Sequence, residues 1–342
     1  MGMKVVVVGG GIGGLEFIRC LKELDVTLIE PKDRMVCQAL LPEYMVDKVD
    51  EEEITVEISD FCNRYGVDWI RDKAVRVESD RVITEKDEVE FDYLVISTGA
   101  RPFVFENTYS LSDLESTKVC KKALDKAEEV AIIGSGATGV ECACELRERG
   151  YEVKLIEYLE RILPSFTPKV SNYVRRLMEK EGIEIFTSCK VIGVNEAVKT
   201  NKGKIDCDLA ISCAGLKPNP LDGLKTERGW IVVDEYLRVR ENVFAIGDCA
   251  LVKVNGKIAT KTALEAEMQA RITAKNIRRI RKDEKPLKYK VVSSIDKPIA
   301  FITLAKNRAV MIYKGILIPR PMKVLYRIKK RIVESFMKRY KI

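Results

Sequence analysis

A unit of strand, glycine-rich loop, helix and strand occurs twice in this chain of 342 residues. In the first copy, an apolar strand leads into the loop 9–14, and the next strand ends at Glu30. The second copy follows about 125 residues later, with the loop 134–139 and a strand that ends at Glu157. Because apolar strands alternate with helical patterns, the sequence predicts an α/β protein with parallel sheets.

Both loops have the spacing G-x-G-x-x-G. Its glycines are Gly9, Gly11 and Gly14 in the first loop and Gly134, Gly136 and Gly139 in the second. The first glycine allows a tight turn, the second lets the backbone approach a pyrophosphate, and the third lets helix pack on strand. The phosphates then lie at a helix N-terminus, where free amides favour anions.

An acid closes the second strand of each unit, at the offset expected for a residue that binds an adenosine ribose. These acids are Glu30 and Glu157. Two complete units predict two dinucleotides, FAD and a nicotinamide coenzyme. The carboxylate of Glu157 would repel a 2′-phosphate, so we expect NADH rather than NADPH, although Arg161 lies nearby.

Composition excludes several other classes of protein. The chain has no histidine, which argues against Ser-His-Asp hydrolases and His-zinc enzymes, and we expect no metal site. Its ten cysteines include no C-x-x-C pair, so zinc knuckles and adjacent redox pairs are not expected. A thiol-rich sequence without an export signal favours the reducing cytoplasm.

Three later segments, 93–102, 211–219 and 242–249, complete a recognisable series. With the two loops, they resemble the pyridine nucleotide–disulfide oxidoreductase superfamily, flavoproteins with two dinucleotide-binding domains. The resemblance covers roughly residues 3–310. It implies two Rossmann-like domains, the second inserted in the first. The residues after them predict a small C-terminal region that ends in a basic amphipathic helix.

The resemblance also implies domain boundaries. The FAD-binding domain would comprise residues 1–107 and 223–285, with the NAD(H)-binding domain at 108–222 between its two parts. Residues 286–342 would form a C-terminal β region and a membrane-binding tail. The reaction implied is hydride transfer from NADH to the flavin, which passes electrons to a second acceptor.

The family's coenzyme contacts carry over by position. Those to FAD would be Gly9, Gly11, Gly13, Gly14, Glu30, Thr98, Gly99, Gly247, Asp248, Thr262 and Ala263. Those to NADH would be Gly134, Gly136, Gly139, Glu157 and Gly215. Asp248 would bind the ribityl chain, and the amides of Thr262 and Ala263 would face the flavin pyrimidine edge, where the helix dipole stabilises the reduced flavin. Glu141 would lie where nicotinamide stacks on flavin.

The segment after Glu30 leaves the second acceptor open. Its residues 40–43 resemble type II NADH dehydrogenases and their sulfide:quinone relatives and, with one residue inserted, coenzyme A disulfide reductases. Cys37 is therefore either a catalytic thiol or a small buried hydrophobic residue. We expect quinone reduction, with a soluble thiol-disulfide or sulfur reductase as the alternative. A non-catalytic coenzyme-binding sensor is a third possibility.

Two further features bear on the acceptor. Sulfide:quinone enzymes bring separate cysteines together at the flavin, and Cys120, Cys142 and Cys249 lie in loosely suitable regions. Type II NADH dehydrogenases carry glutamines in the helix after Thr-Ala, where this chain has Leu264 and Met268. This departure puts the quinone contacts in doubt.

The net charge of +7 belongs to the C-terminal tail, since residues 314–342 alone carry +9. On a helical wheel, one side of the tail is apolar: Met322, Leu325, Ile328, Ile332, Val333, Phe336 and Tyr340. The other side is basic: Lys323, Arg327, Lys330, Arg331, Lys338 and Lys341, with Lys329 and Arg339 intruding on the apolar side. Such a helix lies in a bilayer interface and is attracted to anionic lipid.

We therefore expect residues 320–342 to bind the anionic inner face of the cell membrane, which would make this a cytoplasmic, peripheral membrane protein. The alternative is a helix docked on the body or on a partner subunit, such as the second copy in a homodimer. Nucleic acid is not an expected partner, because the basic stripe has a full apolar face behind it.

Overall fold

The computed structural model describes residues 3–21, 24–319 and 322–341. Its α-helices are α1 (Ile12–Cys20), α2 (Leu41–Met45), α3 (Glu51–Ile54), α4 (Ile58–Tyr65), α5 (Leu114–Leu124), α6 (Ala137–Glu148), α7 (Pro168–Lys180), α8 (Ala263–Ile280) and α9 (Met322–Lys338). Short 3-10 helices span Gln38–Leu40 and Gly247–Cys249.

The strands follow in chain order. The first are β1 (Lys4–Val8), β2 (Asp25–Ile29), β3 (Arg34–Val36), β4 (Thr55–Glu57), β5 (Asp68–Ile70), β6 (Ala74–Val77), β7 (Arg81–Thr84), β8 (Glu88–Glu90), β9 (Tyr93–Ile96) and β10 (Ala100–Pro102). Next come β11 (Tyr109–Ser110), β12 (Glu129–Ile133), β13 (Glu152–Ile156), β14 (Glu184–Phe186), β15 (Val191–Val194), β16 (Ala197–Thr200), β17 (Gly203–Asp206), β18 (Leu209–Ser212) and β19 (Leu216–Pro218). The last are β20 (Thr226–Glu227), β21 (Trp230–Val232), β22 (Arg238–Arg240), β23 (Val243–Ala245), β24 (Ala250–Leu251), β25 (Lys253–Val254), β26 (Lys257–Ile258), β27 (Ala300–Leu304), β28 (Arg308–Tyr313) and β29 (Ile316–Leu317).

The first large sheet has the strand order β22-β23-β9-β1-β2-β5. Its strands are parallel apart from the antiparallel pair β22 and β23. The central strand β1 pairs Val6 with Thr27 on one side and with Leu94 on the other. Because this strand is covered on both faces, its sequence is a continuous run of buried valines.

The second large sheet, β11-β18-β12-β13-β14, is parallel throughout. In the chain it lies between β9 and β23, which are neighbours in the first sheet. The antiparallel pair β10 and β19 forms the outgoing and returning crossover. The predicted architecture of two dinucleotide-binding folds, with the second inserted in the first, is therefore confirmed.

Helix ends follow local chemistry. Helix α7 begins at Pro168, which is favourable there because the first turn leaves its N–H groups unbonded anyway. Helix α6 ends close to Gly150, whose φ of +102° is a conformation that glycine adopts more readily than other residues. Helix α4 begins only at Ile58, because β4 occupies Thr55–Glu57 and pairs with β3 before it.

The C-terminal region consists of the antiparallel sheet β27-β28-β29 and helix α9, which packs on β27 and β28. Residues 320, 321 and 342 of the predicted tail lie outside the described residues. Among the residues that are described, no helix combines the length and apolar character needed to cross a membrane.

Candidate functional site

The first glycine loop joins β1 to α1 at the carboxyl edge of the first sheet. A Cβ atom on Gly9 would meet the carbonyl of Ser97, and one on Gly14 would clash with the carbonyl oxygen of Gly9. A Cβ on Gly11 would meet no atom within 4 Å. The outer glycines are therefore required by protein packing, while the middle one faces open space where a pyrophosphate fits.

The second loop joins β12 to α6 and has the same geometry. A side chain on Gly134 would meet the backbone of Cys213, and one on Gly139 would clash with the carbonyl oxygen of Gly134. A Cβ on Gly136 would again meet nothing within 4 Å. Both cradles therefore fit a dinucleotide by the same criterion.

Each terminal acid folds back onto its own glycine loop. The carboxylate of Glu30 accepts hydrogen bonds from the backbone N–H of Gly10 (2.6 Å) and Lys32 (2.9 Å). That of Glu157 accepts from the Ser135 N–H (3.0 Å) and hydroxyl (2.5 Å). Loop and acid are thus fixed relative to each other, as an adenosine site requires.

The other predicted FAD residues gather at the same edge of the first sheet. Thr98 follows β9, and its hydroxyl donates to the carbonyl of Asn219 (3.0 Å), close to the crossover. Gly13 lies against Ile246, the residue before the Gly247–Cys249 turn. The Gly247 N–H donates to the side-chain oxygen of Gln269 (2.7 Å), which holds this turn against α8.

Helix α8 begins next to that turn. The hydroxyl of Thr262, its N-cap, accepts from the Glu265 N–H (3.4 Å), and Ala263 is the first helical residue. Asp248 is largely enclosed, and this burial raises the pKa of its carboxyl, while the Lys261 ammonium opposes the shift. A hydrogen-bonding ligand that approaches this edge would meet both the carboxylate and the helix N-terminus.

On the predicted nicotinamide side, Gly215 lies between β18 and β19. Its φ is +98°, its carbonyl accepts from the Phe103 N–H (2.8 Å), and an added Cβ would meet nothing within 4 Å. The open space at Gly215 matches that at Gly136 and Gly99. An atom added at any of these three glycines would therefore enter open space.

Glu141 lies on α6, and its partner comes from the tail. Its carboxylate accepts from the ammonium of Lys329 on α9 (2.7 Å) and from the Thr303 N–H on β27 (2.8 Å). Lys329 also donates to the Thr303 hydroxyl (2.5 Å). Both charged side chains are only 10% exposed.

The electrostatics of this pair extend to Glu43 on α2. Burial opposes the charge on Lys329, but the carboxylates of Glu141 and Glu43 outweigh it and raise the pKa of the ammonium. Burial raises the pKa of Glu43, against the attraction of Lys329. The pair therefore holds a charged, protonated lysine beside a buried acid.

The tail helix does not place its whole apolar side in a bilayer. Leu325, Phe336 and Tyr340 are buried against the body, so the predicted bilayer contact is wrong for these three. Lys329 and Arg339, which intrude on the apolar side of the wheel, are held by Glu141 and by Glu267 (2.9 Å). The alternative of docking on the body is therefore correct for this face.

A different stripe of α9 faces outward. Val324, Ile328 and Ile332, spaced by four residues, are 43%, 42% and 52% exposed. Arg327 and Arg331 are exposed beside them. We call these five residues the outer stripe; it is apolar along its centre and basic along its flank.

A cavity separates α9 from helices α2 and α3. The empty space here, counted together with the solvent at its mouth, is about 420 Å³. Its wall is formed by Leu40, Glu43, Val49, Glu53, Tyr326, Lys329, Lys330, Val333, Glu334 and Met337. Lys329 lines this cavity and binds Glu141 at the same time. A mainly apolar molecule in the cavity would therefore contact the ammonium that also contacts the candidate active site.

Cys37 begins the segment that leads to this cavity. It is 3% exposed, and burial raises the pKa of its thiol to about 11, although backbone N–H groups of Ala39 and Leu40 and the charge of Lys329 oppose the shift. Cys120 and Cys142 pack in the core around the second sheet, while Cys37 and Cys249 belong to the core of the first. Each of these cysteines is a free thiol.

Sequence reasoning missed the partners of Glu141. Thr303 gives no signal in the sequence, but Lys329 does, because a lysine on the apolar side of an amphipathic helix needs a buried acid if that side packs on protein. Gln269 and Lys261 were also missed as neighbours of the Gly247–Cys249 turn. Their signal was only proximity to Asp248 and Thr262 in the chain.

Comparisons with known proteins agree with this geometry. The chain is 26% identical over 331 residues to an NADH oxidase of Methanocaldococcus jannaschii, covering 86% of this chain and 74% of that one. It is 27% identical over 366 residues to a type II NADH:quinone oxidoreductase of Haemophilus influenzae, covering 83% and 82%. Its fold matches the sulfide:quinone oxidoreductase of Aquifex aeolicus with a TM-score of 0.85 at 18% identity, over 99% of this chain and 91% of that one.

The family model of the pyridine nucleotide-disulphide oxidoreductases matches residues 3–271. That span contains both glycine loops, both terminal acids and the start of α8. The chain therefore belongs to the pyridine nucleotide-disulphide oxidoreductase family, whose coenzymes are FAD and NAD(P)H.

Proposed function

We propose that this protein is an NADH:quinone oxidoreductase that works at a membrane surface. FAD supplies the two-electron chemistry, taking a hydride from NADH and passing the electrons on. The observation that carries the proposal is the position of α9. This helix contributes Lys329 to Glu141, walls the adjoining apolar cavity and presents the outer stripe to the surroundings.

The proton balance of quinone reduction suits Lys329. A quinone takes up two electrons and two protons; a hydride brings both electrons and one proton, and the other proton comes from solvent. The Lys329 ammonium lines the cavity and forms an ion pair with Glu141. It can therefore donate a proton to a quinone oxygen and be reprotonated through the acidic side chains around it.

The outer stripe supports delivery of the quinone from lipid. Val324, Ile328 and Ile332 could enter a bilayer interface, while Arg327 and Arg331 would contact anionic headgroups. The cavity lies on the other side of the same helix, so an apolar quinone tail would have a short path between lipid and cavity. The inner face of the cell membrane is the location we propose.

The coenzyme contacts are part of the same proposal. The first loop, with Thr98, Gly99, Asp248 and the start of α8, would hold FAD. The second loop, with Gly215, would hold NADH. Ser135 holds the carboxylate of Glu157 beside the second loop, where its charge would repel a 2′-phosphate, and this supports NADH over NADPH.

A sulfur reductase that uses Cys37 is the second candidate. The thiol lies close enough to Lys329 to be influenced by its charge and accepts hydrogen bonds from two backbone amides, both of which favour a thiolate. The raised pKa and the burial of the side chain weigh against it. A Cys37→Ser variant with full activity on every acceptor would eliminate this candidate.

Deletion of the whole tail cannot test the membrane half of the proposal, because it would remove Lys329 as well. The double variant Ile328→Gln/Ile332→Gln changes only the outer stripe. We expect it to lose at least tenfold in affinity for vesicles with anionic headgroups while its activity on a short-chain soluble quinone stays unchanged. Ile192→Gln, at an isoleucine on β15 that is even more exposed (68%), is the control. Equal vesicle binding by all three proteins would refute the membrane role.

A further inference from the structure

Lys261 is a half-buried lysine that has no part in the proposed reaction. It directly precedes Thr262, the N-cap of α8, and its ammonium donates to the carbonyl of Ala250, just after the Gly247–Cys249 turn. The ammonium also lies 4.6 Å from the centre of the Trp230 ring. Lys261 therefore links the Gly247–Cys249 turn to the start of α8, the two elements that we assign to the flavin.

Lys261 differs from Lys329 in its partners. In the part of the chain that the structure describes, Lys329 forms an ion pair with Glu141, whereas Lys261 has no acid within ion-pair distance. Burial lowers the pKa of Lys261, and the more distant carboxylate of Asp248 opposes this shift. The ammonium of Lys261 has a carbonyl and an aromatic ring as neighbours but, among the described residues, no acid at ion-pair distance, so it would stabilise a negative group bound at this edge.

Glu265, in the first turn of α8, does not supply that negative group. Its carboxylate accepts from the Tyr289 hydroxyl (2.7 Å) and from the Val292 (2.8 Å) and Ser293 (2.6 Å) N–H groups. It also accepts from the Gln269 amide (3.2 Å). Asp248 is thus the nearby acid that acts on Lys261. A negative group of a bound ligand is the remaining way to balance the charge of the ammonium.

We propose that Lys261 raises the redox potential of the bound flavin by stabilising its reduced form. The oxidised flavin ring is neutral, whereas the reduced ring carries negative charge at its pyrimidine end, so a fixed cation favours one state over the other. Enclosure by Trp230 strengthens the effect because it lowers the local dielectric constant. The inference depends on FAD binding, which the family shows, and holds whichever acceptor takes the electrons.

The test compares redox potentials of FAD-loaded proteins in anaerobic dye-equilibration titrations. The variants are Lys261→Met and Lys261→Gln, which are neutral, and Lys261→Arg, which keeps the charge. Lys257→Met, at an exposed lysine on β26, is the control for the change in net charge. We expect both neutral variants to shift the ratio of reduced to oxidised flavin at least tenfold toward the oxidised form, about 30 mV for a two-electron couple. Lys261→Arg and Lys257→Met should stay within threefold of the unsubstituted protein.

Two results would overturn the inference. One is a potential in the neutral variants that equals that of the unsubstituted protein. The other is loss of FAD from both neutral variants but not from Lys261→Arg, because this would assign Lys261 to holding the oxidised coenzyme. A protein that does not reduce quinone would still allow its flavin potential to be measured, so the two proposals can be refuted independently.

Discussion

The helices that follow the two glycine loops carry a glutamate at the same place, two residues after the third glycine. These are Glu16 on α1 and Glu141 on α6. Both are buried, and both bind a residue of the tail: Glu16 accepts from the Tyr340 hydroxyl (3.0 Å) and Glu141 from the Lys329 ammonium (2.7 Å). The tail thus contacts equivalent positions of the two repeated units.

The difference lies in the remaining partners. Glu16 also binds Arg19 (2.8 Å) and Arg271 (2.6 Å). In the described residues, Lys329 is the single cation paired with Glu141, and it faces a cavity. Glu16 is part of a network of ion pairs within the protein, whereas the pair of Glu141 and Lys329 lies next to space for a ligand. The repeat alone does not decide this; the packing of the tail does.

The largest expected effects separate the two loops themselves. Gly11→Ala and Gly136→Ala add a methyl group that meets no protein atom within 4 Å, so each should reduce coenzyme affinity without disturbing the apoprotein. The losses should be about a hundredfold or more, because several hydrogen bonds to a charged pyrophosphate contribute about 1.5–3 kcal/mol each.

Absorbance spectra of the purified variants measure the bound flavin and its reduction by NADH. Gly11→Ala should purify colourless, whereas Gly136→Ala should stay yellow and fail to bleach with NADH. Gly193→Ala, which also enters open space, is the control. A yellow Gly11→Ala protein that NADH reduces normally would contradict the assignment of FAD to the first loop.

Next in size is the loss of the charge pair at Glu141. Lys329→Met leaves a buried carboxylate without its cation, so we expect the free energy of unfolding to fall by about 3–5 kcal/mol. Quinone turnover should drop about a hundredfold, since a proton donor is lost. Denaturant titration and steady-state kinetics measure the two effects.

The double variant Glu141→Gln/Lys329→Met tests whether the cost is electrostatic. It should recover much of the stability, because the uncompensated charge is gone, but none of the turnover. Costs that simply add in the double variant would show that the two side chains do not act as a pair.

At Glu16 we expect a smaller loss of stability and a pH signature. Burial alone would raise the pKa of this carboxyl, but hydrogen bonds from Arg19 and Arg271 outweigh it and lower the pKa to about 2. A carboxyl with a depressed pKa stabilises the fold above its unfolded value, near 4.5, and this stabilisation is lost as the pH falls from about 4.5 to 2.

Glu16→Gln should therefore cost about 2 kcal/mol at pH 7, and the difference from the unsubstituted protein should shrink over that acid range. Denaturant titrations at several pH values measure it. Turnover of the FAD-loaded variant should stay within twofold. A loss of turnover as large as that of Lys329→Met would end the distinction between the two glutamates.

The smallest effect is expected for Tyr340→Phe. This change removes one hydrogen bond to Glu16, which keeps both arginines, so the free energy of unfolding should fall by about 1 kcal/mol. Thermal unfolding measures it, and Tyr313→Phe at an exposed tyrosine serves as control. A loss as large as that of Lys329→Met would mean that the tail is held mainly at its end.

Much of this architecture could be predicted from the sequence because it depends on local chemistry. Each glycine loop is specified by close backbone approaches, and the acids Glu30 and Glu157 follow at a fixed distance along the chain. The face of α9 could not be assigned in the same way. A helix side that packs on protein and one that enters lipid are both apolar, so the pattern of residues does not separate them.

The basic residues on the apolar side of the tail indicate which side packs on protein. Lys329 and Arg339 interrupt the apolar side because each forms an ion pair with a buried acid of the body, Lys329 with Glu141 and Arg339 with Glu267. Their partners are about 190 and 70 residues away in the chain, so only the folded chain identifies them. The helical wheel groups Ile328 and Ile332 with the buried residues of the tail, but both are exposed and belong to the outer stripe, not to the face that packs on the body.

The central claim is that electrons pass from NADH through FAD to a quinone. The direct test is anaerobic stopped-flow mixing of the FAD-loaded protein, first with NADH and then with a short-chain quinone, with coenzyme A disulfide and polysulfide as competing acceptors. The flavin absorbance should bleach with NADH and return with quinone at least as fast as steady-state turnover. Bleaching that only coenzyme A disulfide or polysulfide reverses would contradict the claim.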